Sequence, residues 1–261
     1  MMMGLALLAV AVEIPDTRLY QEALSKHVNL QGGVRYAALN KDLGPLNRFV
    51  EQLAQVSPDS HPALFPSREA KLAHWLNTYN ALVVWAFAQE YPAGKTRLAN
   101  KVGQFNFFYR RKFTVGGRER SLDDIETNSI RKAFGDPRIH FALVCASASC
   151  PWLSPVAYTA GNVELELEKR TQLFVSQARN VEKDSATGRV TLSMIFRWYE
   201  GDFGGREKLL AFLEQRRPGL TAHAAGKTVE LRYRPYDWSL NEEPTAGSDP
   251  AHTLGSAANK R

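Results

Sequence analysis

Residues 68–90 constrain the fold of this chain more than any other segment. Seven residues of this segment have the i, i+3, i+4, i+7 spacing of a single buried helix face: Leu72, Trp75, Leu76, Tyr79, Val83, Ala86 and Phe87. Ser67 precedes the segment as a suitable N-cap, and Pro92 and Gly94 follow its end. The pattern predicts a long helix over 68–90, buried near the centre of the protein.

The rest of the chain predicts a mixed α+β protein around this helix. Of its 261 residues, 44% are hydrophobic and 23% are charged, which excludes a disordered chain, a collagen and a coiled coil. Further helices are predicted over 19–27, 42–56, 122–134, 162–178 and 207–216, and strands over 112–115, 118–121, 139–145, 189–192 and 229–233. We expect a single α+β domain over residues 12–243, with a central mixed β-sheet packed against the long helix. The almost uniformly apolar strand 139–145 is expected at the centre of that sheet.

The two ends of the chain differ from its body. Residues 1–11 are apolar and end in the small-x-small motif Ala9-Val10-Ala11, typical of a secretory cleavage site, but the basic start of a signal peptide is missing. We expect a clipped signal peptide over 1–11 and a periplasmic or extracellular location. Residues 244–261, rich in Ala, Gly, Ser and Pro, are predicted to be a disordered tail. No later apolar run is long enough for a spanning helix, so no stable membrane span is expected.

The charge of the chain does not favour a nucleic-acid partner. Its 33 Lys and Arg outnumber 27 Asp and Glu only modestly, for a net charge of +6. The densest mixture of aromatic and basic residues, 105–113, is better explained as a strand and its ends than as a base-stacking platform. The chain has no P-loop, no dinucleotide-binding glycine pattern and no Gly-x-Ser-x-Gly motif. The expected partner is therefore a small molecule, a peptide or an envelope component, and the oligomeric state stays open.

The candidate chemistry lies between His140 and Cys150. On a strand over 139–145, His140 and Cys145 point to opposite faces, whereas the Ser-rich stretch before Cys150 lets that thiol fold back towards the imidazole. A histidine near a cysteine is the minimum for a thiolate nucleophile, because the imidazole takes the thiol proton and later returns it to the leaving group. The same residues also permit a Cys145–Cys150 disulfide or, with a further ligand, a zinc site.

Polar residues inside the predicted long helix are a second candidate feature. His74, Asn77 and Asn80 lie beside the apolar face near the middle of the helix, where Asn is a poor helix former and needs a hydrogen-bond partner. One interpretation is that they brace neighbouring backbone. The other is that Asn77 or Asn80 orients an imidazole or donates to a developing oxyanion.

Several separated motifs resemble one protein family. They are HWLNTYNAL at 74–82, SLDDIE at 121–126, RIHFALVCAS at 138–147, SCP at 149–151, Trp198 with Asp202-Phe203, and YDWSLN at 236–241. In this order they are similar to the family known as domain of unknown function 547, over about residues 19–241. The resemblance implies export, since bacterial members commonly carry signal peptides. One departure is Thr127, where the family usually has His; if that His belonged to a shared catalytic or metal site, this chain would lack it.

The predicted layout also resembles, distantly, the core of papain-like and transglutaminase-like thiol enzymes. Those folds pair a long helix with strands, one of which bears a histidine, and place the nucleophile at the helix N-terminus. Here the long helix offers Asn77 and no cysteine, so this resemblance requires the thiol to come from the loop of Cys150.

The sequence thus supports two functions of different classes. The first is a cysteine-dependent hydrolase or acyl transferase, with Cys150 as nucleophile and His140 as base. Four further residues are predicted to orient groups, stabilise an oxyanion or act as supporting acids: Asn77, Asn80, Asp202 and Glu126. The second is a non-catalytic envelope or periplasmic binding or structural domain, in which Cys145 and Cys150 form a structural pair. Neither function calls for a cofactor or a bound metal.

Overall fold

The structure is a computed structural model that describes residues 12–221 and 229–243. The α-helices are α1 (Thr17–His27), α2 (Tyr36–Lys41), α3 (Gly44–Gln55), α4 (Arg68–Gln89), α5 (Lys101–Phe105), α6 (Leu122–Asp124), α7 (Lys132–Phe134), α8 (Val163–Ser176), α9 (Met194–Trp198) and α10 (Arg206–Arg216). The strands are β1 (Phe113–Val115), β2 (Arg118–Arg120), β3 (Val181–Lys183), β4 (Val190–Ser193) and β5 (Leu231–Arg234). The predicted signal peptide, 1–11, and the predicted tail, 244–261, lie outside the described residues.

Helix α4 is the long buried helix that the apolar spacing predicts. The side chain of Ser67 caps it by accepting a hydrogen bond from the amide of Ala70, at 3.0 Å. Every residue from Leu72 to Val84 is buried. Because a helix buried on all sides needs neighbours on all sides, α2, α3, α8 and the π-helical turn Ile125–Arg131 pack around it.

The strands form two small sheets, and the α+β class is confirmed. Strands β1 and β2 make an antiparallel hairpin, as predicted from their turn residues Gly116-Gly117. In the second sheet, β4 pairs antiparallel with β3 and parallel with β5. This sheet is mixed, and the helices it contacts most are α8 and α9. The long helix α4 lies elsewhere, mainly among helices.

The predicted central strand over 139–145 is wrong. Pro137–Phe141 is a 3-10 helix, begun by the Asp136 side chain, which accepts a hydrogen bond from the amide of Arg138 at 2.9 Å. Residues 142–145 follow without regular structure. An Asp cap followed by Pro favours a helical start, and a short apolar run cannot by itself distinguish a strand from a buried turn. The strand faces that separated His140 from Cys145 therefore do not exist.

The interpretation of residues 105–113 as a strand is also wrong. Helix α5 continues into a π-helical turn, Asn106–Arg110, and β1 begins only at Phe113. The helical spacing buries Phe107 and leaves Phe105 and Tyr109 exposed. These two exposed rings stack with their centroids 5.3 Å apart, as side chains four residues apart on a helix do.

Two apolar clusters meet at the 3-10 helix Pro137–Phe141. Ile139 belongs to the large cluster around α4, and Phe141 packs against Phe174 and Phe196 in the cluster beneath the mixed sheet. His140 lies between these two anchors, so its backbone is fixed from both sides. No helix in the described part of the chain is long and apolar enough to cross a bilayer.

Candidate functional site

A cavity of about 410 Å³ opens where α4, the π-helical turn Ile125–Arg131, the segment 140–150 and the end of α9 come together. Three predicted site residues line it: His140, Cys150 and Glu126. Asp202, the fourth, bonds directly to His140. These four residues are distant in the sequence and come from different motifs, and the fold brings them together.

His140 and Asp202 form a carboxylate–imidazole pair. The His140 side chain is only 1% exposed, and its Nε2 lies 2.7 Å from Oδ2 of Asp202. The Arg131 guanidinium binds the same carboxylate through two hydrogen bonds of 2.7 and 3.0 Å. The hydrogen bond from His140 is the largest cause that holds the pKa of Asp202 well below its ordinary value. Burial opposes this effect, and the hydrogen bonds from Arg131 add to it. Asp202 is therefore ionised and accepts a hydrogen bond from the N–H at Nε2.

This pairing fixes the chemistry of the other imidazole nitrogen. When the ring is neutral, the hydrogen on Nε2 leaves Nδ1 as a lone-pair acceptor. Within residues 12–221 and 229–243, Nδ1 of His140 has no hydrogen-bond partner. The ring of Tyr199 stacks on the imidazole with centroids 3.7 Å apart, which fixes its plane. His140, a residue of the cavity wall, thus has one nitrogen bound to Asp202 and the other available as an acceptor.

Glu126 is held in place by two tyrosine hydroxyls. Tyr199 donates to Oε1 at 2.6 Å and Tyr79 donates to Oε2 at 3.1 Å. Burial, and after it the charge of Glu126, raises the pKa of Tyr79 and Tyr199 well above 10.0, so both hydroxyls stay protonated. The Glu126 carboxylate is therefore a fixed acceptor in the cavity wall.

Cys145 and Cys150 form a disulfide, with their Cα atoms 6.2 Å apart. Of the alternatives that the sequence left open, this is the one present, and Cys150 is not a free thiol in this state. Two donors face the sulfur of Cys150: the amide of Cys145 at 2.8 Å and the hydroxyl of Tyr236 at 3.4 Å. For the zinc alternative, the described residues contain no group of three His, Cys, Asp or Glu side chains arranged to hold a metal ion.

The loop between the two cysteines is held rigidly. Ala146 adopts φ of 59°, a left-handed conformation that costs energy for a residue with a Cβ. Its carbonyl accepts from the amide of Asn241 at 3.0 Å, and the amide of Ala148 donates to Ser239 at 2.7 Å. The Arg179 guanidinium adds hydrogen bonds to the carbonyls of Ala148 and Cys150. The segment 236–241, a motif in the sequence, thus serves to fix the disulfide loop.

Asn80 and Asn77 brace the backbone. Asn80 donates to the carbonyl of Ala142 at 2.8 Å and accepts from the amide of Val144 at 3.0 Å. Asn77 makes the same pair of bonds to the carbonyl and amide of Tyr158, at 2.7 and 2.9 Å. Both amide groups are therefore engaged, and the structure does not place either one as an oxyanion donor. Asn80 instead fixes the segment that joins His140 to Cys145.

His74 does not join this site. It packs edge-on against Phe65, with ring centroids 4.7 Å apart. Burial lowers the pKa of His74 to about 3, so the imidazole is neutral. Its Nε2 is buried without a hydrogen-bond partner among the described residues.

A family profile described as "Protein of unknown function, DUF547" matches residues 64–175. This part of the chain is therefore similar to the DUF547 family. The match confirms the resemblance seen in the motifs, although it covers less of the chain than residues 19–241. No curated protein and no solved structure matches the chain. The distant resemblance to papain-like and transglutaminase-like enzymes stays a prediction.

The DUF547 region supplies most of the cavity but not all of it. It contains Tyr79, Glu126, His140 and both cysteines. The partner of His140 and the hydroxyl that faces the disulfide come from beyond it, from Asp202 and Tyr236. The carboxylate–imidazole pair therefore needs a part of the chain outside the matched region.

Several residues of the site were not predicted from the sequence. The apolar spacing places Tyr79 on the buried face of the long helix and predicts no role for its hydroxyl. Tyr199 and Arg131 were not singled out, and Tyr236 and Trp198 entered only as parts of motifs. A tyrosine on a buried helix face is a usable signal, because its hydroxyl has to find a partner there.

Proposed function

We propose that the protein is a cysteine-dependent hydrolase or acyl transferase whose resting form carries the Cys145–Cys150 disulfide. The observation that supports it is the His140–Asp202 pair, at 2.7 Å, in the wall of the cavity that Cys150 also lines. Asp202 orients the imidazole, and the free Nδ1 is the atom that would take the proton of a thiol. Nucleophile, base and orienting carboxylate are then Cys150, His140 and Asp202.

The reaction needs a reduction step first. A dithiol reductant gives two electrons and two protons to the disulfide, so that Cys145 and Cys150 become thiols while the reductant becomes a disulfide. Cys150 then passes its proton to His140, and the thiolate attacks an acyl carbonyl, forming a carbon–sulfur bond. The imidazolium returns the proton to the departing group. Water, or another acceptor, releases the acyl group from the thioester and regenerates the thiol.

A backbone amide favours Cys150 over Cys145 as the nucleophile. The amide of Cys145 lies 2.8 Å from the Cys150 sulfur. The hydroxyls lie near both sulfurs: that of Tyr236 is 3.4 Å from Cys150 and 3.1 Å from Cys145, and that of Ser147 is 3.0 Å from Cys145. An N–H or O–H that donates to a thiolate stabilises it and increases its share at neutral pH. In the reduced protein, the amide donor would favour a thiolate at Cys150.

The proposal includes export to the periplasm or the cell exterior. Disulfides persist in oxidising compartments, and an intact Cys145–Cys150 bond fits such a location. The apolar residues 1–11 point the same way. The disulfide form would then be the stored state, and a local reductant would produce the active thiol.

The test uses p-nitrophenyl acetate with the oxidised protein, the reduced protein and two serine variants. Cys145→Ser leaves Cys150 without a disulfide partner, so this variant should release p-nitrophenol and form an acyl adduct on Cys150 without reductant. Cys150→Ser should do neither, although it makes the same change in the same loop. Mass spectrometry locates the adduct. Absence of acylation in both the reduced protein and Cys145→Ser would contradict the proposal.

A non-catalytic envelope or periplasmic domain is the second candidate, and one observation favours it. The disulfide loop is fixed on several sides by Asn241, Ser239 and Arg179, as expected of a structural cross-link. On this account, reduction would lower the stability of the protein while neither thiol became reactive. The same acylation measurement therefore distinguishes the two functions.

A further inference from the structure

Aromatic side chains cover much of the cavity wall. Trp198, Tyr236 and Trp238 form a continuous cluster on one side, with centroids 4.7 Å apart for Trp198–Tyr236 and Tyr236–Trp238 and 5.9 Å apart for the two tryptophans. Phe108 and Tyr109 also line the cavity. Trp198 is 44% exposed although it is large and apolar, so part of this aromatic wall is open to solvent. Exposed aromatic surface in a cavity of this size is typical of a ligand site.

The side chains of the same wall carry more negative than positive charge. Asp123 and Glu126 line the cavity, and the carboxylate of Asp123 has no hydrogen-bond or ion-pair partner among the described residues. Arg131 is the cation of the wall, but its guanidinium is bound through two hydrogen bonds to Asp202. The chain as a whole carries a net charge of +6, so the acidic cavity contrasts with the rest of the protein.

A further unpartnered group belongs to His140, which also lines this cavity. The His140 side chain is 1% exposed, and its Nδ1 has no hydrogen-bond partner within the described residues. An acceptor nitrogen without a partner in the protein leaves a hydrogen bond for water or a ligand to make. It places a proton acceptor in the same cavity as the aromatic rings and the two carboxylates.

We propose that the cavity binds an organic cation of the alkylammonium type, held against Trp198, Tyr236 and Trp238 and paired in charge with Asp123. Electron-rich ring faces attract a quaternary ammonium, and a carboxylate in the same cavity adds charge complementarity. This inference deepens the proposed function: the substrate is an ester or thioester whose acyl or leaving part carries an ammonium group. Only the ester or thioester part of the substrate rests on the proposed function, because binding of the cation does not require catalysis.

The test compares choline with its neutral isostere, in which a tert-butyl group replaces trimethylammonium. Both are titrated by calorimetry into the oxidised protein, where Cys150 is not a free thiol and no turnover takes place. The two ligands have nearly the same shape, so the difference reports the charge. We expect choline to bind at least about tenfold more tightly, as a partly desolvated cation–π contact provides. The fluorescence of Trp198 and Trp238 should change with the same dissociation constant.

Two variants of α6 separate the cavity charge from a general loss of charge. Asp123→Asn should weaken choline about tenfold and leave the isostere unchanged, since one short-range charge pair is lost. Asp124→Asn makes the same change at the next residue, whose carboxylate bonds to Asn128 and is not among the lining residues, and it should bind choline normally. Unchanged melting of both variants shows that they fold.

Three results would overturn the inference. They are equal affinity for choline and its isostere, tighter binding of the isostere, and no heat from either ligand at saturating millimolar concentration. The proposed function fails separately, through an absence of acylation at Cys150 in Cys145→Ser. A cation that binds to a protein without thiol reactivity would keep this inference and reject the enzyme.

Discussion

Removal of the Asn80 amide should destabilise the protein and loosen the site at the same time. In Asn80→Ala, the carbonyl of Ala142 and the amide of Val144 lose their partner, and both of these residues are only 2% exposed. A buried backbone group without a partner costs about 1–3 kcal/mol, so the two together cost about 2–6 kcal/mol. That is a large part of the total stability of about 5–15 kcal/mol that a folded protein has.

Asn77→Ala is the matched control for this prediction. Asn77 is on the same helix, is 1% exposed like Asn80, and makes the same two bonds to the backbone of Tyr158. Its loss should lower the free energy of unfolding by a similar amount. Only Asn80, however, fixes the residues that lead into Cys145.

Urea unfolding measures the stability of both variants, and the rate at which a thiol reductant opens the disulfide measures the site. Asn80→Ala should be reduced faster than the parent protein, and Asn77→Ala should be reduced at the parent rate. A loss of less than about 1 kcal/mol in Asn80→Ala would refute the energetic argument. Equal acceleration in both variants would refute the claim that Asn80 fixes the disulfide loop in particular.

Two further predictions concern single groups of the site. Tyr236→Phe removes one of the two donors to the Cys150 sulfur, so the pH midpoint of alkylation at Cys150 in the reduced protein should rise by about one unit. Iodoacetamide labelling and mass spectrometry measure this midpoint, and an unchanged value contradicts the role of the hydroxyl. The pKa of Asp202 is lowered in the folded protein, so its ion pairs stabilise the fold fully above the ordinary carboxyl value of about 4 and lose this effect as the pH falls through the lower folded pKa. Acid unfolding of the parent protein should therefore depend on pH more steeply below about pH 4 than that of Asp202→Asn, and equal slopes would contradict it.

The longer helices were predictable because their apolar spacing repeats over several turns and their caps are local. The long helix α4 follows from apolar spacing and the Ser67 cap, and the hairpin β1–β2 follows from two adjacent glycines. The conformation of segment 139–145 was not predictable, because a short apolar run has no repeated spacing that distinguishes a strand from a helical turn. Its conformation is decided by Asp136 and Pro137 before it and by the anchors on both sides.

The site was predictable only in part. Four of its groups, Cys150, His140, Glu126 and Asp202, were singled out from the sequence, and the structure brings them together. The pairing of His140 with Asp202 spans 62 residues along the chain, and no local rule connects them. For Asn77 and Asn80, burial in a helix signalled that partners were needed, but only the fold identifies these partners as backbone.

The central claim is that Cys150, once reduced, is an activated thiol beside His140. The most direct measurement is the rate of iodoacetamide labelling at each cysteine across pH, before and after reduction, with His140→Gln as the comparison. The account predicts no labelling before reduction, then labelling of Cys150 with a midpoint well below the free-thiol value of about 8.5, shifted upward in His140→Gln. Equal and slow labelling of both cysteines after reduction, with no effect of His140→Gln, would contradict it and leave the disulfide as a structural bond.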